Sequence, residues 1–401
     1  VACALLAASI PRSISAESLS TSATTARLCV SVPGTDIAEL SVGVYHAVLL
    51  ATERFRPRLA GTGIRLADPL LLDYTNSDSS SEVRNAHTCI RRLDTVAYIG
   101  PINSGVATSS EPILNRAGMA TLSPANTSLP LTDPRFRRTQ EPATYAHTIP
   151  FVTYYRMVPN DLLQGTAAAI FLRKALRRKS YYLVDDGSGY GVPAAGAMNQ
   201  QARALHEAEV GAAHMDSGPS VSRIADQIVS VAPDVVYCGG HDHSAALAHA
   251  LDARGFRGIF FTMDAALDPS WSKVAGPIQH AYVTNPGLDA NHAAGWFQRA
   301  FAARFHAATQ VYDAYAYDAA TAALRALYTA AVHNQLTGSV AQRRRAVIGY
   351  VRRTCFRGAS GSVSFDRNGD PISSSMSVYA LRLGSWQLVG VVNLGRSPRC
   401  G

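Results

Sequence analysis

Six positions carry groups that could grip a small polar molecule: Ser104, Ala125, Thr127, Tyr190, His241 and Asp264. Their chemistries are complementary. A serine at a helix start, with free backbone N–H groups around it, suits a carboxylate. The anion of Asp264 suits an ammonium. Thr127 and the backbone around Ala125 add donors and acceptors, and Tyr190 and His241 offer flat faces with polar tips. Together they fit a zwitterionic amino acid. Each also has an ordinary structural reading: a helix cap for Ser104, a turn residue for Thr127, a solvated strand end for Asp264. Their conjunction favours binding.

What must position these residues is a set of strand ends. "TVAYIG" precedes Ser104, "MATLS" precedes Ala125 and Thr127, "SYYLVDD" precedes Tyr190, "DVVYCGG" precedes His241, and Asp264 closes "IFFTMD". In open parallel sheets, ligands bind beyond the carboxyl ends of the strands. Between these runs lie helical stretches. Asp36 is placed to cap the first of them, and Gly118 follows the end of "SGVATSSEPILNRAG". Alternation of this kind implies βαβ units and covered parallel sheets. "ARLCVSV" opens the series and "IRLADPLLLDY" reads as a Pro-interrupted strand. Residues 133–160, with four prolines, read as an irregular excursion, after which a second doubly wound unit begins. Helices are expected near 290–306, 312–331 and 339–353. A period-two tail follows, with turn signals at Asn368-Gly369 and Gly384, and reads as an antiparallel hairpin or meander. "DRNGD" matches only the start of a calcium loop, so it reads as a turn.

The bulk properties narrow the class. With 401 residues, 47% of them hydrophobic, the chain is long enough for two domains. The net charge of +8 raises nucleic-acid binding. However, the clusters "RKALRRK" and "QRRRAV" sit in helical patterns and read as solvated faces, with no recognition motif, so no nucleic-acid partner is expected. None of the six cysteines forms a C-x-x-C pair. Cys29 and Cys238 lie in apolar runs and read as buried thiols, while Cys355 and Cys400 could pair in an oxidising compartment. His241, His243 and His249 are the best metal candidates. His249 lies off the helical face of His243, and no matching carboxylate accompanies them, so no metal is expected. There is no P-loop and no G-x-S-x-G elbow, and neither catalytic residues nor a cofactor is expected. The opening "VACALLAASIPRSISAES" reads as the end of a secretory signal with "ISA" as a cleavage site, or as a lipobox remnant in which Cys3 carries a membrane anchor.

Seven ordered motifs add a family resemblance: "VAYIGPINSGVATSSEPIL", "MATLSPANTSLPLT", "RMVPNDLLQGTAAA", "YLVDDGSGYGV", "DVVYCGGHDHSAALAHALDARGF", "FFTMDAALDPSWSKVAG" and "SGSVSFDRNGD". Over residues 27–393 the chain resembles type I periplasmic binding proteins, specifically the leucine/isoleucine/valine-binding proteins of ABC importers. The resemblance implies an α/β fold of two doubly wound parallel-sheet lobes joined by three hinge crossings, near 160, 285 and 358. It implies a signal remnant or tail over 1–26 and a first lobe from 27–160 plus 286–357. The second lobe spans 161–285 plus 358–393, and 394–401 forms a C-terminal tail. It also implies that Ser104 and Thr127, with the carbonyl of Ala125, hold the ligand's α-carboxylate and α-ammonium. Asp264 pairs with the ammonium and Tyr190 supplies an aromatic wall. His241 stands where the family often has an aromatic residue. The stretch "SVPGTDIAEL" lacks the family's Gly-rich, tyrosine-bearing loop, so the side-chain pocket is not specified. The implied function is extracytoplasmic capture of an amino acid or related small polar ligand and its delivery to an ABC permease, without catalysis. The alternative is a ligand-sensing domain of the same fold in a receptor or amide-type regulator.

Overall fold

The computed structural model describes residues 24–34, 38–75, 79–136, 152–215, 218–240, 243–395 and 400. The expectations placed on Cys3, the "ISA" site, Asp36 and His241 lie outside the described residues.

Strands β1 (Thr24–Pro33), β2 (Ile64–Leu66), β3 (Leu70–Tyr74), β4 (Thr95–Ile99), β5 (Ala120–Ser123) and β6 (Tyr154–Arg156) form a parallel sheet. The Pro-interrupted stretch becomes β2 and β3, which pair in turn with the start and the end of β1. Pro69 has no N–H to donate, and the strand breaks there. β6 falls inside the stretch expected to be irregular. Three residues with an arginine carry no readable period, and only backbone pairing to β5 defines the strand.

After β6 the chain builds a second sheet from β7 (Ser180–Asp185), β8 (Ala208–His214), β9 (Val235–Gly239), β10 (Ile259–Thr262) and β11 (Ala281–Pro286). It then makes a two-stranded piece, β12 (Cys355–Arg357) with β13 (Ser362–Ser364), before β14 (Ser373–Arg382) and β15 (Ser385–Gly395) join the second sheet. The order is β15-β14-β11-β10-β9-β7-β8, with β14 and β15 antiparallel to their neighbours. The expected hairpin turn at Gly384 is present: Leu383 and Gly384, with φ of 51° and 78°, form the two-residue connection. β4, β5, β9 and β10 are buried along their whole length, as in parallel sheets covered on both faces.

Helices α1 (Ala38–Ala60), α2 (Ser79–Arg91) and α3 (Ser104–Arg116) accompany the first sheet. α4 (Asp161–Lys174), α5 (Gly191–Ala204), α6 (Gly218–Val231), α7 (Ser244–Ala253) and α8 (Pro269–Ala275) accompany the second. α9 (Gly295–Phe305), α10 (Asp313–Val332) and α11 (Val340–Val351) return to the first. The first core joins Val44 and Val48 of α1, Leu324 of α10 and Val30, Ile99 and Leu122 of the sheet. Phe356, Val363 and Phe365 of the β12–β13 segment belong to the same cluster. In the second sheet, Tyr181, Tyr237 and Phe261 meet α4 and α5 on one face, and Val236 and Phe260 meet Leu247 of α7 and Trp271 of α8 on the other. α4 and α5 cross so closely that a Cβ on Gly165 would lie 2.0 Å from the Ala194 carbonyl oxygen.

Two expectations are corrected. Cys29 is not a free thiol: it is bonded to Cys89, tying β1 to α2, with Cα atoms 6.2 Å apart. Cys29 is buried on the sheet face that α2 covers, and α2 presents Cys89 to it. Cys238 is a buried free thiol, and Cys355 is bonded to Cys400. Nor is the "QRRRAV" cluster wholly solvated. Arg344 is buried and donates to the carbonyls of Ile90, Arg92 and Thr95, closing the carboxyl end of α2 with a cation.

Under denaturing, non-reducing conditions, alkylation is expected at Cys238 and not at Cys29, Cys89, Cys355 or Cys400, read by peptide mass mapping. Replacing Cys29 and Cys89 by serine is expected to cost about 2–4 kcal/mol in chemical denaturation. Unchanged stability, or alkylation of Cys29, would contradict the pairing.

Candidate functional site

Between the two sheets lies a cleft of about 430 Å³. From the first sheet's strand ends come Pro33, the Ile102–Gly105 stretch and the Ala125–Ser128 loop. From the second come Gly189, Tyr190, Asp264 and Ala265, and the starts of α4 and α10 add Asp161 and Tyr312. Ser104, Ala125, Thr127, Tyr190 and Asp264 therefore share one cleft, although up to 160 residues separate them in sequence.

Ser104 is not the helix cap. Asn103 caps α3, its side chain accepting from the Gly105 N–H at 2.7 Å. That leaves Ser104 to face the loop after β5: its Oγ accepts from the N–H of Thr127 at 3.2 Å and of Ser128 at 3.4 Å. Its own hydrogen remains to donate. The phenol of Tyr74 accepts from the N–H groups of Ile102 and Asn103, which fixes the approach to α3. Asn126 is spent internally. It donates to the Ile102 carbonyl and accepts from the Tyr154 hydroxyl, and it is fully buried.

On the opposite wall, two carboxylates share one amide. Gln164 Nε2 donates to Asp264 Oδ1 at 2.7 Å and to Asp161 Oδ1 at 3.2 Å. Its Oε1 accepts from Thr284 Oγ1 at 2.9 Å and from the Asp264 N–H at 3.4 Å. The Tyr190 hydroxyl also donates to Asp264 Oδ1. Burial raises the Asp264 carboxyl, opposed by the hydrogen bonds from Tyr190 and Gln164. Burial first, and the Asp264 charge second, push Asp161 up to about 7, against hydrogen bonding from Thr127 and Gln164 and the charge of Arg156. Burial and the same two carboxylates push the Tyr190 phenol well up, so it stays a donor. The wall is thus short of positive charge, and an ammonium there would let both carboxylates ionise.

Asp161 and Tyr312 were not anticipated. An aspartate at the start of α4 looks like an ordinary partner for the helix dipole. Tyr312, with φ of 74°, sits in a backbone region that bulky side chains rarely adopt and that recurs at binding sites. The sequence gives no sign of that conformation. Among the described residues no group of three or more His, Cys, Asp or Glu could hold a metal ion. No described helix is long and apolar enough to cross a membrane.

The two-sheet fold with a cleft at the strand ends is that of solute-binding proteins. A leucine binding protein from Thermotoga maritima superposes with a TM-score of 0.67 at 22% identity, covering 92% of this chain and 98% of that one. An ABC transporter substrate-binding protein from Desulfitobacterium hafniense, solved with Leu, gives 0.69 at 18% identity over 91% of this chain and 100% of its own. A solute binding protein of an ABC transporter from R. palustris, solved with benzoate, gives 0.60 at 16% identity over 93% and 98%. No curated protein matches the chain. The Periplasmic binding protein family model matches residues 71–385, and the chain belongs to that family. The family and the α/β class expected from the ordered motifs are those found.

Asp161 binds more protons in the folded than in the unfolded chain between its ordinary value of 3.8 and about 7. Its contribution to stability is therefore present below the lower value and lost as pH rises through the upper one. Asp161→Asn is expected to flatten that part of the ligand-free Tm curve, read as the difference between the two proteins across this range. Parallel curves would show that Asp161 does not hold the raised proton.

Proposed function

We propose that this chain is an extracytoplasmic solute-binding protein that captures an amino acid, or a related small polar ligand, and delivers it to an ABC permease. The observation that carries this reading is the convergence of the α3 start, the Thr127 loop and the Asp161–Asp264 wall on one cleft. The α3 end and the Ser104 hydroxyl suit a carboxylate, and the two buried aspartates suit an ammonium. The volume falls within the range of small-molecule sites, about 300–1,000 Å³. The disulfides support an oxidising compartment, in keeping with a family whose members work outside the cytoplasm.

In this reading the two cores are two lobes, and the chain crosses between them near 160, near 287 and over 366–372. A ligand that touches both walls at once stabilises the closed arrangement over the open one, a population shift that needs no chemistry. His241 keeps its place in the proposal as a residue at the β9 end.

A thermal-shift screen of amino acids, small amides and aromatic acids tests the reading. A ligand at about a hundred times its Kd adds roughly 2.7 kcal/mol of apparent stability. The expected hit carries both an α-amino and an α-carboxyl group, and its shift is lost in Asp264→Ala and Ser104→Ala. Its affinity is expected to weaken as pH falls below about 7, where Asp161 takes up a proton and no longer attracts a cation. Normal binding by both variants would overturn the head-group assignment. Hits that lack an amino group would remove the ammonium role from Asp264.

A further inference from the structure

Arg156, in β6, is a fully buried arginine that does not face the cleft yet is bonded to the loop that does. Its Nη1 donates to the Asn126 carbonyl at 3.1 Å, and its Nη2 donates to the Ser128 carbonyl at 2.8 Å and to Thr132 Oγ1 at 2.6 Å. The intervening Thr127 carbonyl accepts from the Asp161 N–H at 3.1 Å. Three successive carbonyls are therefore anchored from behind, while the N–H groups of Thr127 and Ser128 are held by Ser104 from in front.

The charge of Arg156 is met by Asp370: Nε lies 2.6 Å from Oδ1, an ion pair not aligned as a hydrogen bond. Asp370 belongs to the "DRNGD" turn, which lies between Phe365 of the first core and Ser373 of the second sheet. The turn is built to deliver it. Asp366 Oδ1 accepts from the N–H groups of Asn368 and Asp370, and Gly369 returns its carbonyl to the Arg156 N–H at 3.0 Å. Gly369 has φ of 93°, and a Cβ there would lie 2.2 Å from the Tyr154 carbonyl oxygen, so no larger residue fits. Asn160, next to Asp161, donates to the other oxygen of Asp370 at 3.1 Å. One ion pair thus ties together the ligand-facing loop, the first passage between the cores and the last.

Resting on the function proposed above, we infer that Arg156 is a positioning residue for the ligand: with Asp370 it fixes the Ala125–Ser128 loop against the segment that joins the first core to the second sheet. A buried guanidinium is tolerated only when its donors are matched, and its planar fork reaches several acceptors that a lysine cannot. The motif that resembled half a calcium loop is, in this reading, the loop's mechanical anchor.

Arg156→Met alone strands a carboxylate, so a loss of folding would be uninformative. The deciding protein is Arg156→Met/Asp370→Asn, which removes both charges and keeps an acceptor for Asn160. Hydrogen exchange on the ligand-free protein is expected to quicken about tenfold or more at the amides of 126–132, with β9 and α5 unchanged. The midpoint for the amino acid found with the parent protein is expected to rise about tenfold, and the ligand-free Tm to fall modestly, because the Asn126 and Ser128 carbonyls lose their donors. A folded double variant whose 126–132 amides exchange like the parent's would overturn the inference. A parent protein that responds to no solute would count against the proposed function alone, because the exchange result still decides the role of Arg156.

Discussion

Two carboxylates held apart from water but joined through one amide set the terms for the rest of this molecule. Asp161 and Asp264 both lose solvation, and the Asp264 charge further opposes the ionisation of Asp161. Gln164 can hold both because Thr284 and the Asp264 N–H fix its other end, so all its capacity is used within the wall. In the proposed function, such a wall would favour an arriving cation through groups already held in place, rather than through groups that must rearrange on contact.

The folding pattern explains how such a wall can face a carboxylate-seeking one. Parallel strands deliver their loops to one edge, and here loops from both sheets line one shared gap. The first set is built from backbone N–H groups, a helix start and hydroxyls. The second is built from acids and a phenol. Opposite polarity across the gap follows from which loops are donors and which carry side-chain anions, and in the proposed function that polarity would orient a zwitterion.

Much of this was legible in the sequence because the strand ends are marked by local patterns. Ser104, Ala125, Thr127, Tyr190 and Asp264 each follow an apolar run, and βα alternation predicts that such positions share an edge. Asp161 was hidden because its spacing matches an ordinary helix start. Tyr312 was hidden because its approach depends on a left-handed backbone angle at the start of a helix far along the chain. β6 escaped because three residues cannot show a period, and the arginine that breaks its apolar character is the one that donates to the Asn126 and Ser128 carbonyls. Cys29 misled because a half-cystine in a strand has the same apolar neighbours as a buried thiol. Only the face covered by α2 separates the two.

The Cys355–Cys400 bond joins β12, packed in the first core, to the residue just beyond β15, the edge strand of the second sheet. It therefore closes a covalent ring around β13, β14 and β15. A protease that cuts the backbone inside this ring, including the 366–372 passage, yields a nicked molecule whose pieces stay attached. The fragment would part only when a reductant also reached the sulfur atoms. If the chain works outside the cytoplasm, as proposed, where proteases are common and reductants scarce, the last passage between its halves is the one it can lose without falling apart.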